Sequence, residues 1–272
     1  MATRGRPELA FKSIKSLINN ANDVNEIEFC IAIDNDDLKS MDYFTKTVVP
    51  WFKQNEYDIL LMSFDRMGYA KLHEYMRHLA LNSKGAWLVI WNDDAFMDTK
   101  DWDKEITSYT GQFKLLAFQD NHNKHPYSIF PILPREWLVL FGTLSPQQAC
   151  DAWVSQVAYV VDIFQRIETA VTHDRHDLTG NNNDTTYAER EFLEGDATNP
   201  EDAFHPDMIK LKDHYCQKVA WYLKRTGQGT GRWDRVVNRE VEPFALMHQN
   251  DPNKHLGTFV KQVDGTTINV RK

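Results

Sequence analysis

The chain has no apolar stretch long enough to cross a bilayer. Its opening, Met1-Ala2-Thr3-Arg4-Gly5-Arg6, has no apolar run of the kind a secretion signal needs. A cytoplasmic protein without membrane contact is therefore expected. Cysteine is scarce: Cys30, Cys150 and Cys216 are an odd number without metal-site spacing, which argues against both a disulfide framework and a zinc cluster. Internal repeats and low-complexity tracts are absent. Basic residues are outnumbered, 31 to 39, for a net charge of −8. The imbalance is uneven, because residues 1–219 hold 22 basic against 34 acidic residues and residues 220–272 hold 9 against 5. An acidic body argues against gripping nucleic acid over the whole surface, while the basic tail keeps a local polyanion contact open.

What is present is material for an interior: 42% hydrophobic residues, with 8 Trp and 15 Phe among 272 positions. That is enough for one large core, or one core with an appendage. Strand and helix signals alternate over the first two-thirds, the pattern of a mostly parallel sheet flanked by helices. Pro7 opens an amphipathic helix through Leu9, Ala10, Ile14, Leu17 and Ile18. Residues 27–33 read as a strand ending at Asp34-Asn35-Asp36-Asp37. A helix follows near 39–54, which Pro50 must bend or end. Further strands are expected at 58–62, 86–90, 113–118, 128–133 and 166–171, with helices through Tyr69–Leu79 and near 146–163. Only two residues precede Thr3-Arg4-Gly5-Arg6-Pro7, which resembles the loop after a first strand; that strand is either vestigial or cut short by a late start. Residues 173–202 are polar, with 9 acidic residues against 2 arginines, and read as a lid or a disordered insertion. A helix at 206–224 comes next. The expected division is a core at 1–172, a polar lid at 173–205, and a C-terminal helix with a basic tail at 206–272.

The most informative segment is Trp91-Asn92-Asp93-Asp94, directly after the apolar run Ala86–Ile90. A buried parallel strand ending in adjacent carboxylates points them into the crevice where open α/β sheets bind ligands. Hard oxygen ligands of this kind suit Mg²⁺ or Mn²⁺ bridging a diphosphate. An acidic turn that merely ends a strand is the plain alternative.

The order of motifs resembles that of GT-A fold glycosyltransferases, nearest the family-two enzymes and the small glycosyltransferases of bacteria and their phages, over roughly residues 1–175. The loop Thr3-Arg4-Gly5-Arg6-Pro7 resembles the donor-nucleotide loop. Asp34 stands where the family has a carboxylate near the nucleotide base. Arg66-Met67-Gly68-Tyr69 is similar to the loop contacting donor phosphate or ribose, and Asn92-Asp93-Asp94 to the metal motif. Gly142 followed by Ala149-Cys150-Asp151-Ala152-Trp153 takes the place of the acidic catalytic helix, and His173 that of a further metal ligand. The family pattern is not fully kept. Asn92 replaces the first acidic position of the metal motif, and Cys150 precedes Asp151 where an acidic pair is frequent. The stretch Gln228–Trp233 is one residue too long for the Gln-x-x-Arg-Trp of processive synthases.

The resemblance implies a hexosyl- or pentosyltransferase using a nucleotide sugar, a UDP-sugar in the first instance. Asp94 and His173 would hold Mn²⁺ or Mg²⁺. Thr3, Arg4, Arg6, Asp34, Arg66, Asn92 and Asp93 would bind the donor, with the arginines neutralising diphosphate through forked hydrogen bonds. Asp151 would be the general base, and direct displacement would then invert the anomeric centre; a first-turn Asp favoured by the helix dipole is its structural alternative. The acceptor is open among 5-hydroxymethylpyrimidine in phage DNA, a surface glycan and a small molecule. DNA would be contacted by Arg232, Arg235 and Arg239, in a bacterial or phage-infected cytoplasm. A nucleotidyltransferase would favour a glycine-rich, Lys-containing loop where this chain has Arg-Gly-Arg-Pro. A degenerate GT-A domain that binds without catalysis is the non-enzyme alternative. Oligomeric state is not legible.

Overall fold

Helix α1 (Pro7–Asn20) begins where expected, with Pro7 in its first turn and Ala10, Phe11, Ile14, Leu17 and Ile18 buried along one face. The computed structural model describes residues 1–121, 127–181, 189 and 205–228, together with the backbone of residues 260–263 and 266–269. The tail residues Arg232, Arg235 and Arg239, and most of the 173–205 segment, lie outside the described residues.

Three parallel strands form a first sheet: β1 (Ala2–Thr3), β2 (Glu28–Asp34) and β3 (Asp58–Phe64), in the order β1-β2-β3. The first strand is two residues long and pairs Ala2 with Ala32 and Thr3 with Ile33. A second sheet contains β4 (Trp87–Val89), β5 (Ala95–Met97), β6 (Leu115–Asp120), β7 (Pro131–Pro134) and β8 (Phe164–His173), in the order β4-β7-β6-β8-β5. Only β6 and β8 are parallel in it. The strand before the acidic motif differs from expectation: β4 is three residues long and pairs antiparallel with β7, with Trp87 and Val89 only partly buried. Period-2 alternation still divides the side chains between two cores, Leu115 and Leu133 facing one and Leu116 and Ile132 the other.

The expected helix at 39–54 occurs as α2 (Leu38–Tyr43), a π-helical turn at Phe44–Val48 and α3 (Val49–Gln54). Pro50 has no N–H to give the preceding turn, and the ladder widens so that the Val49 N–H reaches the Phe44 carbonyl. Helix α4 (Leu72–Asn82) follows a 3₁₀ turn at Tyr69–Lys71; α5 (Trp102–Thr107) and α6 (Arg135–Phe141) come next. Helix α7 (Cys150–Val160) starts later than the sequence suggested. Before it, the Ser145 hydroxyl donates to the Gln147 carbonyl at 2.7 Å and the Gln147 side chain accepts the Ala149 N–H at 2.7 Å, so side chains capture the backbone groups a helix would use. A short α8 (His176–Thr179) precedes α9 (Pro206–Thr226), and the chain's last described strands, β9 (Val260–Val263) and β10 (Thr266–Asn269), form an antiparallel pair.

Helix α9 is not a loose appendage. Tyr215, Cys216, Val219, Ala220 and Leu223 join Trp137, Trp153 and Val157 in one core cluster. Leu223→Ala should therefore cost about 2–5 kcal/mol of stability, with one cooperative transition in urea. A loss below about 1 kcal/mol, or a separate transition for this helix, would show that α9 is docked rather than built in.

Candidate active site

Helix α1 fixes the acidic turn between β4 and β5. The buried Ser13 hydroxyl accepts the Trp91 indole N–H at 2.9 Å and donates to the Ala95 carbonyl. One turn on, Ser16 accepts the Met97 N–H at 2.9 Å, and Asn20 donates to the Met97 carbonyl at 2.7 Å. Strand β5 then pairs antiparallel with β8 in the register Ala95↔His173, and the Asp174 N–H donates to the Asp94 carbonyl at 2.9 Å. That register brings together residues 79 positions apart: His173 Nε2 lies 3.1 Å from Asp94 Oδ1, with Asp94 3% and His173 5% exposed. The imidazole is steadied by Phe130, whose ring centroid is 4.8 Å away, and by Asn121, whose side chain accepts the His173 backbone N–H at 2.7 Å.

Asp93 turns the other way. Its Oδ2 accepts the Thr3 hydroxyl at 2.7 Å and its Oδ1 accepts Arg6 Nη2 at 2.6 Å. A second Arg6 nitrogen is 3.9 Å from Asp94. Arg4 donates to Asp34 at 2.9 Å and forms a two-pronged pair with Asp36, which holds the Asp36 carboxyl below its ordinary range and raises Arg4. The other Asp34 oxygen accepts the Tyr75 hydroxyl. Burial, and then this bond to a carboxylate, push the Tyr75 phenol up to about 12, so it stays a donor throughout the neutral range.

These groups surround a cavity of about 270 Å³. All ten residues singled out from the sequence line it: Thr3, Arg4 and Arg6 from the β1–α1 loop, Asp34 from the end of β2, Arg66 from the β3–α4 loop, Asn92, Asp93 and Asp94 from the acidic turn, Asp151 from the first turn of α7, and His173 from the end of β8. The structure adds His73, Tyr75, Arg175 and Glu189 to the lining. Tyr75 reads from the sequence as one more apolar position of α4. Arg175 and Glu189 sit in the polar stretch, where composition does not tell which charges turn inward.

Among the described residues no group of three or more His, Cys, Asp or Glu side chains is arranged to hold a metal. The Asp94–His173 pair is a two-member donor set, one carboxylate oxygen and one imidazole nitrogen, both acceptable to Mn²⁺. A cation there would replace the contact between Nε2 and Oδ1 and require the tautomer with its proton on Nδ1.

No protein-family profile matches the sequence, and neither does any characterised protein. Solved structures do resemble the fold. The mannosyltransferase PcManGT of Pyrobaculum calidifontis, solved with GDP-Man and Mn²⁺, superposes with a TM-score of 0.51 at 12% identity, over 92% of this chain and 79% of that one. TarS of S. aureus superposes with a TM-score of 0.50 at 12% identity, over 82% of this chain and 42% of that one. The chain has the fold of the GT-A glycosyltransferases. No described helix is long and apolar enough to cross a membrane.

The Asp93 contacts generate a stability prediction. Arg6→Met strips a buried carboxylate of its cation and should cost about 2–4 kcal/mol. Asp93→Asn in the same background should recover part of that loss. A double-mutant cycle in urea should return a coupling energy above about 1 kcal/mol, whereas strictly additive effects would mean the pair contributes nothing.

Proposed function

We propose that this chain is a glycosyltransferase that moves a sugar from a nucleotide sugar, a UDP-sugar in the first instance, to an acceptor hydroxyl, with Mn²⁺ or Mg²⁺ held by Asp94 and His173. The observation that carries this reading is the meeting of Asp94 and His173, 3.1 Å apart, in the same cavity as four arginines and the Asp151 carboxylate. The bound GDP-Man and Mn²⁺ of PcManGT support a nucleotide-sugar donor and a divalent cation.

A two-member donor set fits a cation that completes its shell with phosphate oxygens and water, as Mg²⁺ commonly does in nucleotide sites. When bound, the cation supplies charge neutralisation for a departing diphosphate. The chain's own groups do the remainder. Arg4, Arg6 and Arg66 are each paired with a carboxylate, and a guanidinium carries five N–H donors, more than one carboxylate takes. Asp34, held by Arg4 and Tyr75, offers acceptor oxygens to the N–H edge of a base. Asp151 takes the proton from the acceptor hydroxyl as it attacks, and displacement without a covalent intermediate inverts the anomeric centre.

Thermal shift with UDP- and GDP-sugars, with and without Mn²⁺, is the direct test, because a ligand that binds only the folded state raises apparent stability. Asp94→Ala should lose the Mn²⁺-dependent part of the donor shift and keep the fold, with His173→Ala less severe. Unchanged metal dependence in Asp94→Ala would sink the metal assignment. Asp151→Asn should bind donor normally and transfer about 10²–10⁴-fold more slowly. Near-normal transfer by that variant would move the base elsewhere, and donor binding without transfer by the wild type to any acceptor would indicate a binding domain.

For the acceptor, we take 5-hydroxymethylpyrimidine in DNA ahead of a glycan or small molecule, because residues 220–272, with 9 basic against 5 acidic residues, offer a net-positive segment for a polyanion. DNA affinity should then fall steeply with salt, and neutralising Arg232, Arg235 and Arg239 should flatten that slope without changing donor binding. Transfer to a small hydroxylated acceptor with no DNA binding at low salt would eliminate the DNA reading.

A further inference from the structure

Glu189 is the one residue between positions 182 and 204 whose place is described, and its carboxylate enters the cavity. One oxygen, Oε1, pairs with the Arg66 guanidinium. The other, Oε2, accepts the Tyr69 backbone N–H at 2.9 Å. Tyr69 is the first residue of the three-residue 3₁₀ turn Tyr69–Lys71, so its N–H has no acceptor within that turn. Gly68 completes the seat. Its φ of +74° suits glycine, and a Cβ built there would lie 3.1 Å from Glu189 Oε2, crowding the anion.

A guanidinium, a backbone N–H at the start of a turn and a glycine that leaves room for an oxyanion together make a donor set that suits phosphate oxygens. Here the seated oxyanion is a carboxylate of the chain itself. The tie is weak enough to exchange, because the Arg66 and Glu189 side chains are 38% and 33% exposed and pairs this open to water are heavily screened.

We propose that Glu189 is an internal competitor for the oxyanion seat of the Arg66–Tyr69 turn, filling it until a phosphate group displaces it. The subsite rests on the nucleotide-sugar reading only for the source of that phosphate, either the donor's diphosphate or a phosphate on the acceptor. An internal competitor lowers apparent affinity by the fraction of time the seat is open, so a seat filled about nine-tenths of the time costs about tenfold.

Titration calorimetry on the full chain, with pyrophosphate as probe, reads this directly. Glu189→Ala should bind pyrophosphate about tenfold more tightly than wild type. Glu189→Gln, which keeps the size and loses the charge, should show a smaller gain of the same sign. The gain should vanish in the Glu189→Ala, Arg66→Ala double variant. A matching gain with UDP or GDP assigns the seat to the donor, and a gain with a short 5′-phosphorylated oligonucleotide but not with the nucleoside diphosphates assigns it to the acceptor. Unchanged or weaker binding of all these probes in both Glu189 variants overturns the proposal, as does a gain that survives Arg66→Ala. Because pyrophosphate binding needs no sugar transfer, a chain that gains affinity but transfers nothing keeps the subsite and loses the glycosyltransferase reading. A chain that transfers sugar without the gain does the reverse.

Discussion

Buried carboxylates must be compensated, and the architecture around the cavity follows from that demand. Asp34, Asp93 and Asp94 are each 6% exposed or less, and uncompensated ions so withdrawn from water are costly by several kcal/mol. The compensation comes largely from one short loop. Arg4 reaches Asp34, Arg6 and Thr3 reach Asp93, and the Gly5 N–H donates to Asp37 at 2.6 Å. Gly5 takes φ +72°, a conformation that costs glycine little and lets the flanking arginines serve two different strand ends. Pro7 then starts α1, which braces the acidic turn through Ser13. Residues 3–13 thus join the end of β2 to the β4–β5 turn, although no extended strand connects them.

The same compensation shapes how the cavity receives an anion. Arg4, Arg6 and Arg66 all carry carboxylate partners. A diphosphate entering this cavity would meet three arginines that already have carboxylate partners, so its binding would be an exchange of partners as much as an attraction. The pairs differ in how readily they exchange. Arg6 and Asp93 are 18% and 4% exposed and locked by Thr3, a structural tie. Arg66 and Glu189 are open to solvent and span separate segments. Selectivity for an anion with more charge than a carboxylate follows from that gradient, since only such a ligand outcompetes the partner already seated.

Much of the site was legible because strand ends in α/β folds converge on one crevice. Asp34 could be assigned to a strand end from local pattern, and the Arg-Gly-Arg-Pro loop by its position before an amphipathic helix; Asp94, read as following a strand end, lies in the turn just before β5, and His173 was singled out by the resemblance. What escaped the sequence depends on pairing between distant short segments. β4 and β5 are three residues each, too short for a periodicity that reveals direction, so the antiparallel pairing of β4 and the Ala95↔His173 register were invisible. Pro50 signalled a break but not a π turn. The late start of α7 comes from side-chain hydrogen bonds at Ser145 and Gln147 that no propensity encodes. Lys212 is the sharpest case. A lysine in an amphipathic helix reads as solvent-facing, yet it is 2% exposed, bonded to Gln156 and 5.2 Å from the centre of the Trp153 ring. Glu189 was hidden for another reason: in a stretch with nine acidic residues, composition cannot say which one finds an arginine.

Adjacent carboxylates in the acidic turn divide the labour. Asp93 and Asp94 are the central residues of a turn in which the Ala95 N–H donates to the Asn92 carbonyl, and they face different neighbours, the first the β1–α1 loop and the second the end of β8. Both Asp93 oxygens are already engaged, and its recruitment to a cation would require Arg6 to leave a buried ion pair. If Asp94 is the metal ligand proposed above, Asn92 in place of an acidic residue removes less than a motif comparison suggests, because Asp93 anchors the turn through Thr3 and Arg6. On the proposed reading the protein contributes one carboxylate and one imidazole, and Arg6, 3.9 Å from Asp94, weakens a divalent cation's hold further. A shell so incomplete is filled by the donor's phosphates, which makes cation and donor affinity mutually dependent: each should bind more tightly in the presence of the other by the same factor.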